Sequence, residues 1–129
     1  HESTRIVMPL HPRTAKLLDK YGFKLKIDLI DPVGYFDMIE LLKNCSLVMT
    51  DSGGLQKEAY FFEKNCVTLR DETEWVELVA NGANKLAGAD GALIQKFALE
   101  MLNKTSDFST KLYGDGRSGE QIVDVVLNF

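Results

Sequence analysis

Ser46-Leu47-Val48-Met49-Thr50-Asp51-Ser52-Gly53-Gly54-Leu55-Gln56-Lys57-Glu58-Ala59 is the stretch that decides how this chain folds. Its first five residues are a short apolar run, the pattern of a buried strand. They pass directly into a turn of Asp, Ser and two Gly. Beyond the turn, Leu55, Ala59 and Phe62 line one helical face. A buried strand that runs through a glycine turn into a helix is the repeating half of a parallel α/β sheet.

The same alternation extends in both directions. Upstream, Arg5 to Leu10 reads as a buried strand, and Pro12 opens a helix that Gly22 stops. Phe23 to Ile30 alternates apolar and polar residues as a strand does, and Asp31-Pro32 breaks it. Phe36, Ile39 and Leu42 then mark a helix ending near Asn44. Downstream, Cys66 to Leu69 is a fourth strand. Asp71, with Glu74 as its reciprocal partner, caps a helix that carries Val76 and Val79 and ends at Asn81-Gly82. Asn84 to Ala87 is a weak fifth strand, and Asp90 to Asn103 a helix. Thr105 to Gly116 has no period and is the one place where the chain can cross to something else. Ser118 and Gln121 form a capping box for a last helix with Ile122, Val125, Val126 and Phe129 on one face. The order βαβαβαβαβα plus a trailing helix predicts an α/β fold: a Rossmann-like parallel sheet with helices on both faces.

Composition narrows the function classes. Lys and Arg number 15 and Asp and Glu 19, a formal net charge of −4, where a nucleic-acid-binding surface would normally be basic. No apolar run approaches the roughly 18–20 residues that span a bilayer. The length of 129 residues suits one domain, 1–129. Cys45 and Cys66 lack metal-site spacing and read as buried, reduced thiols of a cytoplasmic protein. No metal site and no cofactor are indicated. The chain begins at His1 rather than Met, which suggests a cut inside a larger protein or a tag remnant.

In open α/β sheets ligands bind at the carboxyl ends of the strands, so the loops after Leu10, Ile30, Thr50 and Leu69 are the ones to search. Ser52, Gly53 and Gly54 suit a phosphate: the glycines allow close approach, and the first helical turn offers free N–H groups and a positive dipole end. The alternative is a plain helix cap and turn. Glu58 can reach sugar hydroxyls or stand as a solvated charge, as Lys57 and Glu63 do. Arg70 can neutralise a phosphate or pair with Asp71 or Glu74. His11 can donate to a ligand oxygen or bond locally. Trp75 can line a cleft or pack in the core. Neither GxxxxGK[ST] nor GxGxxG occurs.

Together these segments resemble a known family. Thr50 to Ala59 resembles the TDSGGxQxEA signature of the non-hydrolysing UDP-N-acetylglucosamine 2-epimerases. Pro9 to Thr14 looks like the family's HP loop, Asp31 to Tyr35 its DPxxY turn, Leu69 to Glu74 its RDxTE segment, and Tyr113 to Gly116 its YGDG stretch. They occur in family order over nearly the whole chain. The resemblance implies one half of a GT-B two-domain fold, the carboxyl-terminal, UDP-binding half. It implies that Ser52, Gly53 and Gly54 hold the diphosphate and Glu58 the ribose. Met38 would lie against the uracil, where many members carry an aromatic residue. Trp75 stands where many carry an Arg that approaches the nucleotide-sugar phosphate, so the resemblance places it, with Arg70 and His11, among the UDP-binding residues. The TEWVE run resembles the branch acting on UDP-2,3-diacetamido-2,3-dideoxyglucuronate.

The family inverts C2 by eliminating and re-adding UDP. Its catalytic acids and a catalytic His lie upstream of the segments found here, so no catalytic residue is expected in this chain, and the chain alone is expected to be inactive. The expected partners are UDP or a UDP-sugar, the amino-terminal domain, and a second copy as a homodimer, with neither nucleic acid nor membrane. Two other readings stand beside the epimerase. One is a GT-B glycosyltransferase domain, and the other is a stand-alone nucleotide-sugar-binding module.

Overall fold

The computed structural model describes residues 4–128. The chain divides into two compact units, the first ending at Leu41 and the second beginning at Leu42.

The first unit holds β1 (Val7–Pro9), α1 (Pro12–Tyr21), β2 (Asp28–Ile30) and the start of α2 (Tyr35–Asn44). β1 and β2 pair in parallel, Val7 opposite Asp28 and Pro9 opposite Ile30. Helix α1 begins as its sequence dictates. Pro12 sits where its missing N–H costs nothing, and the His11 imidazole caps the helix by accepting from the Arg13 N–H. Gly22 closes the helix at φ 68°, a left-handed conformation that a side chain would strain. β2 is shorter than the Phe23–Ile30 alternation suggested. Its ladder with β1 covers three residues, and Phe23 and Leu25 lie ahead of it, exposed.

The second unit holds β3 (Val48–Thr50), α3 (Gly53–Phe61), β4 (Cys66–Thr68), α4 (Val76–Asn81), β5 (Asn84–Leu86), α5 (Gly91–Leu102) and α6 (Ser118–Leu127). β3, β4 and β5 form a parallel sheet in chain order. The expected five parallel strands are thus present, hydrogen-bonded as a pair and a trio rather than as one continuous sheet.

Side-chain alternation along β4 explains why helices cover both faces of the three-stranded sheet. Val67 points to one face and packs with Met101 and Phe97 of α5. Thr68 points to the other and donates to the Asn84 side chain, which in turn donates to Gln56 of α3. On that second face Tyr60 of α3, Leu78 of α4 and Ala83 form a buried cluster. Burial pushes the Cys66 thiol up to about 12, and burial also raises the pKa of Cys45; both cysteines are free.

Two caps differ from expectation. Helix α4 begins at Val76, and neither Asp71 nor Glu74 caps it. Glu74 pairs with Arg70 instead, and the Thr73 hydroxyl accepts from the Trp75 N–H. In α6 the N-cap position falls at Arg117, with Ser118 already inside the helix. The Arg117 guanidinium takes up Glu120 there, so the Ser118–Gln121 box does not form. By contrast Asp90 caps α5, accepting from the N–H groups of Ala92 and Leu93. Phe129, expected on the α6 face, lies outside the described residues; Ile122, Val125 and Val126 are exposed.

The aperiodic stretch after α5 is a packed strap rather than a linker. Phe108, Leu112 and Tyr113 pack on the Tyr60–Leu78–Ala83 cluster. The Tyr60 hydroxyl donates to the Thr110 carbonyl at 2.8 Å, and the Asn65 side chain donates to the carbonyls of Met101 and Lys104. Side chains of α3 and of the loop before β4 thereby satisfy carbonyls of the strap and of the end of α5.

Candidate functional site

The carboxyl end of β3 leads through Asp51 and Ser52 into α3. The Thr50 hydroxyl accepts from the Ser52 N–H at 3.0 Å and closes the turn. Ser52 takes the N-cap position in an extended conformation, φ −82° and ψ 127°, yet its hydroxyl makes no cap hydrogen bond. The first-turn N–H groups of α3 therefore keep their donors, together with the positive end of the helix dipole. In front of Gly54 there is open space: a Cβ built there would meet nothing within 4 Å. Gly53 is the opposite case, since a Cβ there would collide with the Glu74 carboxylate.

Glu58 lies four residues beyond Gly54 and is half-buried. Residues four apart share one face of a helix, and side chains lean toward the helix N-terminus. The Glu58 carboxylate thus leans along the face on which Gly54 opens. Free N–H donors and a carboxylate one turn along thus share one side of α3.

Arg70 follows β4, and its Nη1 lies 3.1 Å from Glu74 Oε2. Because Glu74 also flanks Gly53, the guanidinium is tied to the same corner as the turn. The local pairing open at the sequence level is the one present. Trp75 is nearer still: its indole Nε1 donates to the Gly53 carbonyl at 2.9 Å. Its ring meets Tyr113 edge-on, with centroids 6.0 Å apart. Lys57 is not a plain solvated charge, because its ammonium lies 4.3 Å from the Trp75 ring centre and 4.4 Å from that of Tyr113.

Ser52, Gly53, Gly54, Glu58, Arg70 and Trp75 are thus neighbours in the second unit. His11 and Met38 belong to the first. The His11 imidazole caps α1 through Nδ1, which leaves Nε2 as its donor. Met38 is half-buried in α2. Within that unit a cavity of about 550 Å³ opens at the carboxyl ends of β1 and β2, lined by Leu10, Pro12, Ile30, Asp31 and Pro32. That is the end of the strands where ligands were expected.

Sequence reasoning missed the polar layer beneath the turn. Gln56 is 1% exposed, and its Oε1 accepts from Thr73 Oγ1 at 2.7 Å and from Asn84 Nδ2 at 3.1 Å. Gln56, Thr73 and Tyr113 all sit within the quoted motifs, so their presence was visible and their tasks were not. Tyr113 holds its hydroxyl proton well above the ordinary tyrosine range, first through burial and then through the Glu77 carboxylate.

Among the described residues no group of three or more His, Cys, Asp or Glu is placed to hold a metal ion. Among them, too, no helix is long and apolar enough to cross a membrane.

The sequence profile described as UDP-N-acetylglucosamine 2-epimerase matches residues 1–127. The chain is 52% identical, over 119 residues, to the UDP-2,3-diacetamido-2,3-dideoxy-D-glucuronate 2-epimerase of Pseudomonas aeruginosa, covering 92% of this chain and 34% of that protein. Its fold superposes on the crystal structure of the Methanocaldococcus jannaschii UDP-GlcNAc 2-epimerase in complex with UDP-GlcNAc and UDP. That match has a TM-score of 0.83 and 40% identity, and covers 99% of this chain and 37% of the other. The UDP-GlcNAc-bound 2-epimerase of Neisseria meningitidis matches at a TM-score of 0.68 and 29% identity, covering 99% and 37%. The chain spans about a third of the length of the curated relatives it matches. With an α/β fold of parallel strands and helices, and a family match over residues 1–127, the chain belongs to the UDP-N-acetylglucosamine 2-epimerase family.

Proposed function

We propose that this chain forms the UDP-binding half of a GT-B 2-epimerase that inverts C2 of a UDP-2-acetamido sugar. The observation that carries this reading is the first turn of α3. Its N–H donors are unspent, the space before Gly54 is open, and Glu58 stands one turn along. In this reading the Ser52 hydroxyl and the amides of Gly53 and Gly54 take the diphosphate, and Glu58 accepts from the ribose hydroxyls. Arg70 leaves Glu74 for a phosphate oxygen. Met38 and His11 add uracil and ligand-oxygen contacts, each assigned by family resemblance, and Trp75 borders the diphosphate turn.

The chemistry needs such a corner. As the C2 proton is removed and the anomeric C–O bond breaks, negative charge grows on the departing β-phosphate. A helix N-terminus stabilises that charge without reorganising, and a guanidinium adds to it once it has left Glu74. UDP must also stay bound while the glycal turns its other face, and the Glu58–ribose contact holds it. The acids and bases that move the C2 proton come from the amino-terminal domain. The chain alone therefore binds UDP and does not epimerise.

The sugar is a UDP-2,3-diacetamido-2,3-dideoxyglucuronate, a choice supported by the TEWVE run and by the 52% identity to the Pseudomonas aeruginosa enzyme. The setting is cytoplasmic, in keeping with two free thiols. The exposed α6 face is one that the amino-terminal domain covers; in the isolated chain it pairs two copies as a homodimer, and a single monomer peak in size-exclusion chromatography at all concentrations overturns that part. The test of the site is calorimetry of UDP against ADP: UDP binds measurably and ADP more weakly. Equal binding of the two, or none, refutes the assignment.

A further inference from the structure

Two side-chain donors brace the backbone of the proposed diphosphate turn, adding to the helix ladder that begins there. The Gly53 carbonyl accepts from the Trp75 indole at 2.9 Å, and the Ser52 carbonyl accepts from Gln56 Nε2 at 3.4 Å. A peptide plane is rigid, so engaging its carbonyl on one side turns the following N–H to the other. With the carbonyls of residues 52 and 53 engaged by the protein, the N–H groups of Gly53 and Gly54 point away from it.

Both donors are themselves held. Gln56 is oriented by Thr73 and Asn84, which donate to its Oε1, and Asn84 is oriented by the Thr68 hydroxyl at 2.9 Å. The Ser52 carbonyl can only accept, which sets the Gln56 amide with Nε2 toward it and Oε1 toward Thr73 and Asn84. Trp75 is gripped at its own N–H by Thr73 and across its ring by Lys57 and Tyr113. Gln56, Thr68 and Asn84 are each at most 2% exposed, so a lost partner there would not be replaced freely by water.

We infer that Trp75, with Gln56 behind it, is a positioning residue. Its indole N–H orients the Gly54 amide toward the diphosphate, as Gln56 does the Gly53 amide, and makes no contact with the ligand itself. This rests on the UDP reading above and refines it, since there Trp75 only bordered the turn. It separates the two ends of the nucleotide: the indole acts on diphosphate affinity and leaves nucleoside affinity alone.

The experiment compares UDP with uridine on the full 129-residue chain by calorimetry. Trp75→Phe keeps an aromatic ring under Lys57 and removes the N–H. Should Phe fail to fold, as judged by thermal unfolding, benzothienylalanine at position 75 preserves the bicyclic shape and still lacks the donor. The expected result is a loss of UDP affinity of about fivefold to tenfold, the scale of one hydrogen bond, with uridine affinity unchanged. UDP affinity equal to the parent, or an equal fall for uridine, overturns the inference and leaves a packing role. If the parent chain binds no UDP at all, the UDP reading falls first and takes this inference with it.

Discussion

Ser52 and Asp90 occupy the same position at the starts of two helices and use it differently. Asp90 gives its carboxylate to two backbone amides of α5, while the Ser52 hydroxyl gives nothing to α3. Their alanine variants should therefore separate stability from binding. Asp90→Ala should lower unfolding free energy by about 1 kcal/mol and leave UDP affinity alone. Ser52→Ala should barely change stability and weaken UDP binding by about 1–3 kcal/mol, and Glu58→Ala should do the same. Urea denaturation and calorimetry measure the two axes, and no loss of binding on either Ser52 or Glu58 refutes the site as proposed. At this scale the motif residues were legible in the sequence, but their partners were not. Arg70 and His11 bond locally, and Lys57 looked like a solvated charge, because its two aromatic partners come from 18 and 56 residues further along.

Elements were legible where local signals face no competitor. Pro12 and Gly22 bracket α1, and Asp90 opens α5, because nothing distant bids for those groups. The expected box at Asp71–Glu74 failed because Glu74 is taken by Arg70 four residues back and lies against Gly53 of a distant turn. Helix α3 shows the same limit. Its inward side carries Gln56, Ala59 and Tyr60, with a buried polar residue that breaks the apolar stripe read from Leu55, Ala59 and Phe62. The strap was opaque because irregular backbone has no period and its anchors are single side-chain bonds. Tyr60→Phe removes one of them, the bond to the Thr110 carbonyl. It should lower unfolding free energy by about 1 kcal/mol and speed amide exchange through residues 105–113. Unchanged exchange there would show that the strap is held by its aromatic packing alone.

For the whole molecule, burial is concentrated in the second unit. All three residues of β4 are buried, whereas those of β1 are half-buried and β2 is largely exposed. Hydrogen exchange should accordingly protect the β4 amides longest and release β1 and β2 sooner. The parallel α/β order was legible from the alternation of strands and helices; the break into a pair and a trio of strands was not, because strand pairing depends on distant partners. Alkaline stability should carry the mark of Cys66. The unfolded thiol ionises near 9.0, while the native one keeps its proton up to about 12. The native state therefore binds that proton more tightly, and the stability this confers is complete below about pH 9 and lost as pH climbs toward 12. Urea midpoints should fall across that window, and Cys66→Ala should flatten the fall; an unaltered slope would assign it to other groups.

The chain contains a single tryptophan, and the structure sets it against the Gly53 carbonyl with an ammonium over its ring. The chain thus carries one indole beside its four tyrosines, placed at the turn proposed to take the diphosphate. Its emission has no background from a second indole. A ligand that reorders the turn, or a denaturant that frees it, writes its signal on the same fluorescence band, so occupancy and unfolding can be followed in one cuvette without a label.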